Sequence, residues 1–313
     1  MRIVAALGGN ALLQRGERPA ASIQRHHVDD AVAQLASIAR DHELIITHGN
    51  GPQVGLLAVE SANDPELAQP YPLDVIGAQT QGMIGYWLLQ AFTSALPDRP
   101  VVALVTRTIV HADDPSFEHP TKFVGLGYDE LDARRLAAAR GWTIAQDGAR
   151  WRRVVASPEP YAIVESSMIQ KLANDGAIVI CAGGGGIPVV RDVDDGRLSG
   201  VEGVIDKDLA TALVAHHLKA DVMLILTDVP GVYRDYGTPD QQLIRMATAE
   251  ELRAMSFSDG SMGPKVEAAC RFVESMGTRA VIGQLDDAED LLEGTAGTTV
   301  VLDAQTCPGR KTP

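Results

Sequence analysis

The chain has 313 residues, which is enough to bury a substantial core in one large α/β domain or in two lobes. Its formal net charge of −14 argues against nucleic acid or an anionic membrane surface as a partner. No apolar stretch reaches membrane-spanning length, and the apolar run at residues 1–7 is too short for a signal peptide. Three widely spaced cysteines, Cys181, Cys270 and Cys307, favour neither a disulfide framework nor a zinc site, so we expect a cytoplasmic protein.

Short runs of apolar, often β-branched residues alternate with amphipathic segments along the chain. Strands that are apolar on both faces are typical of a mostly parallel sheet covered by helices on both sides, so the pattern predicts an α/β fold. The predicted strands are 3–7, 44–47, 101–106, 177–181, 222–227, 280–282 and 298–302. The predicted helices are 23–40, 73–96, 129–140, 208–219 and 266–276.

Two segments depart from this alternation. Residues 111–160 contain several prolines, a charged helix and the cluster Trp151-Arg152-Arg153, and they predict an inserted lobe or flap. Residues 189–201 carry Asp195-Gly196 between apolar flanks, which predicts a β-hairpin.

Lysine is scarce in this chain, with six lysines beside twenty-one arginines. Three of the six, Lys122, Lys207 and Lys265, lie among glycine, proline or aspartate residues in predicted loops. A compact ammonium suits the neutralisation of a transferring phosphoryl group at close range, so these three are candidate phosphate contacts. Chance placement in turns is the alternative.

Glycine-rich turns follow several predicted strands. Residues 8–10 and 49–51, both with an asparagine, indicate a shared anion pocket or merely two tight turns. Four glycines at 183–186 predict a phosphate-binding backbone, with a flexible hairpin entry as the alternative. The spacing matches neither the dinucleotide-binding G-x-G-x-x-G pattern nor a P-loop, which disfavours a nicotinamide dehydrogenase and a P-loop kinase.

Carboxylates flank the second lysine. Asp206 and Asp208 fit simple helix caps, or they position ammonium groups or hold Mg²⁺ near phosphates. Lys265, near the start of a predicted helix, is a candidate contact to nucleotide phosphate. Residues 227–233 fit either a base pocket or a plain loop. His48 is expected to hydrogen-bond its loop rather than to act as a base.

Nine segments together resemble the carbamate kinases of the amino-acid kinase superfamily. They are ALGGNAL (6–12), THGNGPQVG (47–55), TQGMIGYWL (80–88), PTK (120–122), RWRRVV (150–155), CAGGGGIPVV (181–190), GVEGVIDKDLA (200–210), LILTDVPGVY (224–233) and GSMGPKVEAA (260–269). The resemblance implies a single domain: a three-layer αβα sandwich with a mostly parallel central eight-stranded sheet. It implies an acid-substrate half at about 1–110 and 158–180, a protruding subdomain (the lid) at 111–157, a nucleotide-binding half at 181–313, and a homodimer.

The resemblance also implies reversible phosphoryl transfer between ATP and carbamate with Mg²⁺, run toward ATP synthesis in arginine or ureide catabolism. The implied catalytic residues are Lys122, Lys207, Asp208 and Lys265. The implied carbamoyl phosphate contacts are Gly8, Gly9, Asn10, Asn50 and Gly51. The implied nucleotide site comprises Gly183, Gly184, Gly185, Asp206, Thr227, Asp228, Tyr233, Met262 and Pro264. Alternatives are a kinase of the same superfamily with another acceptor, or a nucleotide sensor without turnover.

Overall fold

The computed structural model describes residues 1–13, 17, 19–257 and 262–303. The strands are β1 (Arg2–Leu7), β2 (Glu43–His48), β3 (Val101–Ala103), β4 (Arg107–Ile109), β5 (Lys122–Tyr128), β6 (Thr143–Asp147), β7 (Arg150–Val155), β8 (Ala162–Ile163), β9 (Ile178–Ile180), β10 (Ile187–Arg191), β11 (Leu198–Gly200), β12 (Val222–Thr227), β13 (Tyr233–Arg234), β14 (Gln242–Leu243), β15 (Met246–Thr248), β16 (Arg279–Gln284) and β17 (Thr298–Val301). The helices are α1 (Ala21–Asp41), α2 (Gly51–Asn63), α3 (Leu73–Ala95), α4 (Glu130–Arg140), α5 (Ser166–Asn174), α6 (Lys207–His217), α7 (Ala249–Arg253), α8 (Met262–Met276) and α9 (Ala288–Glu293). Within the described ranges, none of these helices has both the length and the apolar character that a bilayer crossing requires.

The main sheet has eight strands in the order β15-β17-β16-β12-β1-β2-β9-β3. Every neighbouring pair in it is parallel except β16 and β17. Strand β1 lies near the middle, between β2 and β12, so the turns that follow these three strands lie at one edge. The predicted α/β class with a mostly parallel eight-stranded sheet is confirmed.

Alternate residues of the central strands enter two separate apolar layers. Val4 of β1 belongs to the layer that includes residues of α5, α6, α7 and α8. Its neighbours Ile3 and Ala5 belong to the opposite layer, which includes residues of α1, α3 and α9. Because both faces of each strand are buried, the strands need apolar residues at every position, which explains their unbroken hydrophobic runs. The result is the predicted three-layer sandwich.

Two predicted strands differ clearly in length from the structure: 280–282 is too short, since β16 covers Arg279–Gln284, and 101–106 is too long. The run 101–106 was expected to be a single strand, but β3 ends at Ala103. The backbone of Thr106 is bonded to a side chain instead of to a strand. Its N–H donates to the Gln81 Oε1 at 2.8 Å, and its carbonyl accepts from the Gln81 Nε2 at 3.0 Å, so the chain turns away from the sheet. Three helices also begin earlier than expected, α1 at Ala21, α6 at Lys207 and α8 at Met262. The predicted hairpin is present as the antiparallel pair β10 and β11.

Within the lid, residues 122–155 form a three-stranded antiparallel sheet of their own, in the order β5-β7-β6, with α4 packed on it. The Asp129 carboxylate caps α4 by accepting the Asp132 N–H at 2.9 Å. The base of this sheet meets the body through apolar contacts, where Val124 and Val155 cluster with Val54 of α2. The lid is therefore a small second sheet resting on α2 and α3.

Two glycines bring the backbones of the lid and the body close together. A Cβ placed on Gly55 of α2 would lie 2.5 Å from the backbone Cα of Gly125 in β5. We expect Gly55→Ala to lower the free energy of unfolding by about 1–3 kcal/mol, because two backbones rather than a flexible side chain must separate. Urea unfolding measures this effect.

Gly77→Ala provides the matched control, because Gly77 is also a helix-interior glycine and an added Cβ there meets open space. This change should be neutral or stabilising by up to about 1 kcal/mol. Equal destabilisation by the two substitutions would contradict the close backbone contact at Gly55.

Candidate functional site

The glycine turns predicted from the sequence meet at the carboxyl edge of the main sheet. Gly8 donates its N–H to the Leu226 carbonyl at 3.0 Å, and Gly49 donates to the Leu7 carbonyl at 2.9 Å. A Cβ on Gly49 would lie 2.9 Å from the backbone nitrogen of Gly9, so the two turns are in direct contact. Their backbone N–H groups thus lie together at the edge where ligands bind in open α/β sheets.

A buried carboxylate joins two of the three loop lysines. Asp208, whose side chain is only 4% exposed, binds the Lys265 Nζ at 3.1 Å through one oxygen. Its other oxygen pairs with the Lys207 Nζ. Burial alone would raise the pKa of the Asp208 carboxyl, but the two ammonium charges and their hydrogen bonds hold it below its usual range. Burial lowers the pKa of Lys207, and the Asp208 charge counteracts that shift.

The third lysine reaches the same place from the lid. Lys122, the first residue of β5, donates to the Asp206 carboxylate at 2.7 Å. The other oxygen of Asp206 accepts the backbone N–H groups of Asp208 at 2.9 Å and Leu209 at 3.3 Å, which makes Asp206 the N-cap of α6. The sequence left helix capping and the positioning of ammonium groups as alternatives for Asp206 and Asp208, and the structure has both. Asp206 caps α6, and each of the two carboxylates binds an ammonium group.

The four glycines at 183–186 are buried against side chains of the protein itself. A Cβ on Gly184, whose φ is +64°, would lie 2.1 Å from the Asn50 Nδ2. A Cβ on Gly183 would lie 2.4 Å from the His48 Nε2. Close packing is thus one sufficient reason for bare backbone here, and sequence analysis did not recognise it.

Side chains of α3 support these turns, and sequence analysis missed them. The Gln81 amide holds both backbone groups of Thr106, whose hydroxyl accepts the Ala182 N–H at 3.1 Å. The Thr80 hydroxyl accepts a hydrogen bond from the Asn50 Nδ2 at 2.9 Å. Polar residues on the buried face of an otherwise apolar helix were the available signal, because such groups are kept only when they are hydrogen-bonded.

The remaining predicted residues lie around this centre. Thr227 ends β12 next to Gly8, and its hydroxyl donates to the Asp228 carboxylate at 3.2 Å. The Tyr233 ring, in the segment that follows, lies 5.9 Å from the Tyr236 ring. Met262 and Pro264 belong to the first turn of α8 together with Lys265. The side chain of Asn10 lies outside the described part of the structure, as do residues 258–261.

Comparison with known proteins identifies the family. The sequence profile of the amino acid kinase family matches residues 1–284 of the 313. The chain belongs to this family. As the sequence motifs predicted, its similar relatives include carbamate kinases. The carbamate kinase of Rhizobium meliloti (strain 1021) is 49% identical over 303 residues, covering 96% of this chain and 93% of that protein. That of Escherichia coli (strain K12) is 49% identical over 300 residues, covering 96% and 99%.

Solved structures agree with this assignment. The carbamate kinase from Giardia lamblia bound to AMP-PNP is 39% identical, with a TM-score of 0.88 over 96% of this chain and 98% of that one. The isopentenyl phosphate kinase of T. acidophilum, at 16% identity and a TM-score of 0.53, shares the fold alone. Family membership makes this chain a phosphotransferase that uses ATP or ADP as co-substrate.

The net charge of the kinase site is compatible with an added divalent cation. Three lysines and two aspartates, Asp206 and Asp208, sum to a single positive charge, which is less than a nucleotide polyphosphate carries in negative charge. Within the described residues, no group of three or more His, Cys, Asp or Glu side chains is arranged to hold a metal ion. Mg²⁺ is often held by one or two carboxylates plus substrate phosphates, and that donor set fits this site.

His48 of the kinase contributes no charge near neutral pH. Its Nδ1 lies 3.0 Å from the Gly49 carbonyl oxygen, which can only accept, so Nδ1 carries the proton. Burial, with a smaller contribution from the nearby Lys207 charge, lowers the pKa of His48 to about 4, although the Gly49 hydrogen bond acts in the opposite direction. The expectation that His48 bonds its own loop agrees with this geometry.

This depressed pKa predicts a loss of stability in mild acid. An unfolded chain binds a proton at His48 below about pH 6.5, whereas the folded chain does so only near pH 4. The contribution is therefore complete above pH 6.5 and is lost as the pH falls toward 4. We expect His48 to account for about 2 kcal/mol of the drop in unfolding free energy from pH 7 to pH 5.

Urea unfolding at the two pH values, on the wild type and on His48→Asn, measures this contribution. The asparagine side chain keeps a donor for the Gly49 carbonyl but does not titrate. The drop should be about 2 kcal/mol smaller in the variant, whatever its absolute stability. An equal drop in both proteins would show that His48 is not the titrating group.

Proposed function

We propose that the chain is a carbamate kinase, which catalyses reversible phosphoryl transfer between ATP and carbamate to give ADP and carbamoyl phosphate. The observation that carries the proposal is its near-full-length identity of 49% to curated carbamate kinases. The lysine cluster supports phosphoryl transfer in general, and the relatives point to the acceptor. This reaction needs no general base, which agrees with a neutral His48 that is hydrogen-bonded to its own loop.

The proposed chemistry is positioning and charge neutralisation. A carbamate oxygen attacks the γ-phosphorus in line, and the bond from that phosphorus to the ADP oxygen breaks. The nucleophile is already an anion, so no proton must be removed. Lys207 and Lys265, both paired with Asp208, face the migrating charge, and Lys122 covers it from the lid. Mg²⁺, held by phosphate oxygens and a site carboxylate, would neutralise further charge when bound.

The ligands are divided between the two sides of this cluster in our proposal. Residues 8–10 and 50–51 bind carbamoyl phosphate in a half formed by about 1–110 and 158–180. The half 181–313 binds the nucleotide through its glycine loop and Lys265. Thr227, Asp228, Tyr233, Met262 and Pro264 would border the nucleotide. Of these, Met262 and Pro264 share the first turn of α8 with Lys265.

A cytoplasmic homodimer completes the proposal. Cys181 and Cys270 are buried free thiols, as expected in a reducing compartment, and burial raises the pKa of Cys181 to about 12. Strand β3 ends the main sheet, α3 packs beside it through Gly85, and the neighbouring Tyr86 is exposed. An open strand edge and an exposed aromatic ring are features that a second copy would cover.

The decisive experiment measures ATP formation from carbamoyl phosphate and ADP, with Mg²⁺ present and after chelation. We expect rapid ATP formation that stops when the metal is removed. Acetyl phosphate and the phosphorylated forms of N-acetylglutamate and nucleoside monophosphates serve as competing donors. Efficient turnover of one of these in place of carbamoyl phosphate would overturn the proposed acceptor, and activity in chelator would overturn the role of Mg²⁺.

Lys265→Ala tests the lysine cluster. Removal of one preorganised donor from such a site costs about 3–4 kcal/mol, so kcat should fall by a factor of about 10² to 10³. The melting temperature should stay close to that of the wild type, because Asp208 keeps its pairing with Lys207. Lys171→Ala, on the exposed face of α5, is the matched control and should retain full activity. A near-normal rate for Lys265→Ala would remove this lysine from the mechanism.

A further inference from the structure

The segment 202–206, which we name the lid-docking segment, contacts one end of the lid sheet, where β5 begins and β7 ends. Val204 donates its N–H to the Ala156 carbonyl at 2.9 Å, directly after β7. Lys122 at the start of β5 binds Asp206 at 2.7 Å, and Lys122 and Val155 are paired in the lid sheet. One short stretch of the body therefore touches the lid where its first strand begins and its last strand ends.

Both carboxylates of this segment serve the lid and a helix at the same time. Asp206 binds Lys122 with one oxygen and caps α6 with the other. Glu202 accepts the N–H of Leu73, the first residue of α3, at 3.0 Å, and its other oxygen lies 3.8 Å from an Arg153 guanidinium nitrogen. The two lid cations are thus tied to helices α6 and α3, which also carry Lys207 and Gln81.

The two ion pairs differ in strength. Asp206 is 13% exposed and Lys122 33%, so their contact at 2.7 Å is partly shielded from water. Glu202 is more than half exposed and its contact with Arg153 is long, so water and salt screen that pair. Of the two ion pairs, the Asp206 pair therefore holds the lid more strongly, and the Glu202 pair contributes weakly.

We propose that Asp206 is a positioning residue, which holds the Lys122 ammonium, and with it the lid, over the acceptor side of the site. An ammonium has three N–H donors, so the bond to Asp206 leaves donors for an anion beneath the lid. This inference rests on the proposed function, because it assigns Lys122 to carbamoyl phosphate. It departs from the assignment of Asp206 to the nucleotide that the sequence motifs implied.

Asp206→Asn separates the two duties of this side chain. Asparagine caps helices about as well as aspartate, so α6 and its Lys207 should stay in place, but the charge that holds Lys122 is lost. We expect the KM for carbamoyl phosphate to rise about 10-fold, the effect of losing one charge-assisted hydrogen bond. The KM for ADP should change less than about 2-fold, since α6 keeps its cap.

A double-mutant comparison distinguishes positioning from a general structural effect. On a Lys122→Ala background, Asp206→Asn should have no further effect on the KM for carbamoyl phosphate, because its partner is already absent. Asp195→Asn is the charge-matched control, since Asp195 pairs with Arg197 in the exposed turn between β10 and β11. It should leave both KM values unchanged. Additive effects in the double mutant, or a similar rise in the KM for ADP, would overturn the proposal.

Amide hydrogen exchange of the ligand-free protein tests the ion pair without any turnover. Peptides from β5 and β7 should exchange faster in Asp206→Asn and in Lys122→Ala than in the wild type, and to the same extent in the double mutant. Glu202→Gln, which keeps an acceptor for Leu73, should have a smaller effect. Unchanged exchange in Asp206→Asn would overturn the proposal. If the wild type makes no ATP from carbamoyl phosphate, the proposed function fails, and the exchange result still decides whether Asp206 holds the lid.

Discussion

A buried carboxylate shared by two ammonium groups is the interaction on which the rest of the site depends. Lys207 and Lys265 belong to α6 and α8, which pack side by side, and the charges of their largely buried ammonium groups repel each other. The Asp208 carboxylate offsets this repulsion by pairing with both ammonium groups. Without it, an unpaired buried charge would destabilise the fold by about 3–5 kcal/mol. The position of α6, and therefore of Asp206 and the lid that it touches, follows from that pairing.

Much of the fold could be predicted from the sequence because its strands are buried on both faces. A run such as residues 222–227 is apolar at successive positions, and the structure has β12 with those bounds. The run 101–106 misled, since its last residue is held by Gln81, a contact that no local pattern reveals. The strand order was also beyond local reasoning: β1 pairs with β12, more than two hundred residues away, through packing of the whole sheet.

The candidate site was predictable where residue type and local setting conflict. A lysine among turn residues or at a helix start is unusual, and this feature of the sequence singles out Lys122, Lys207 and Lys265. The carboxylate that each lysine binds could not be assigned, since Lys122 and Asp206 are 84 positions apart. The four glycines at 183–186 indicate a need for bare backbone, and the close packing around them explains that need. However, the side chains of Asn50 and His48 that press on them belong to a distant turn.

The lid sheet is separate from the main sheet and rests on α2 and α3 through a glycine–glycine contact, a small apolar base and a few polar links. Insertions or substitutions at the far tip of this appendage need not disturb the register of the parallel strands beneath. Such an arrangement separates two kinds of evolutionary change. Under the proposed assignment of the lid to the acceptor side, the lid can change toward new acids while the loops at the carboxyl edge of the main sheet stay the same.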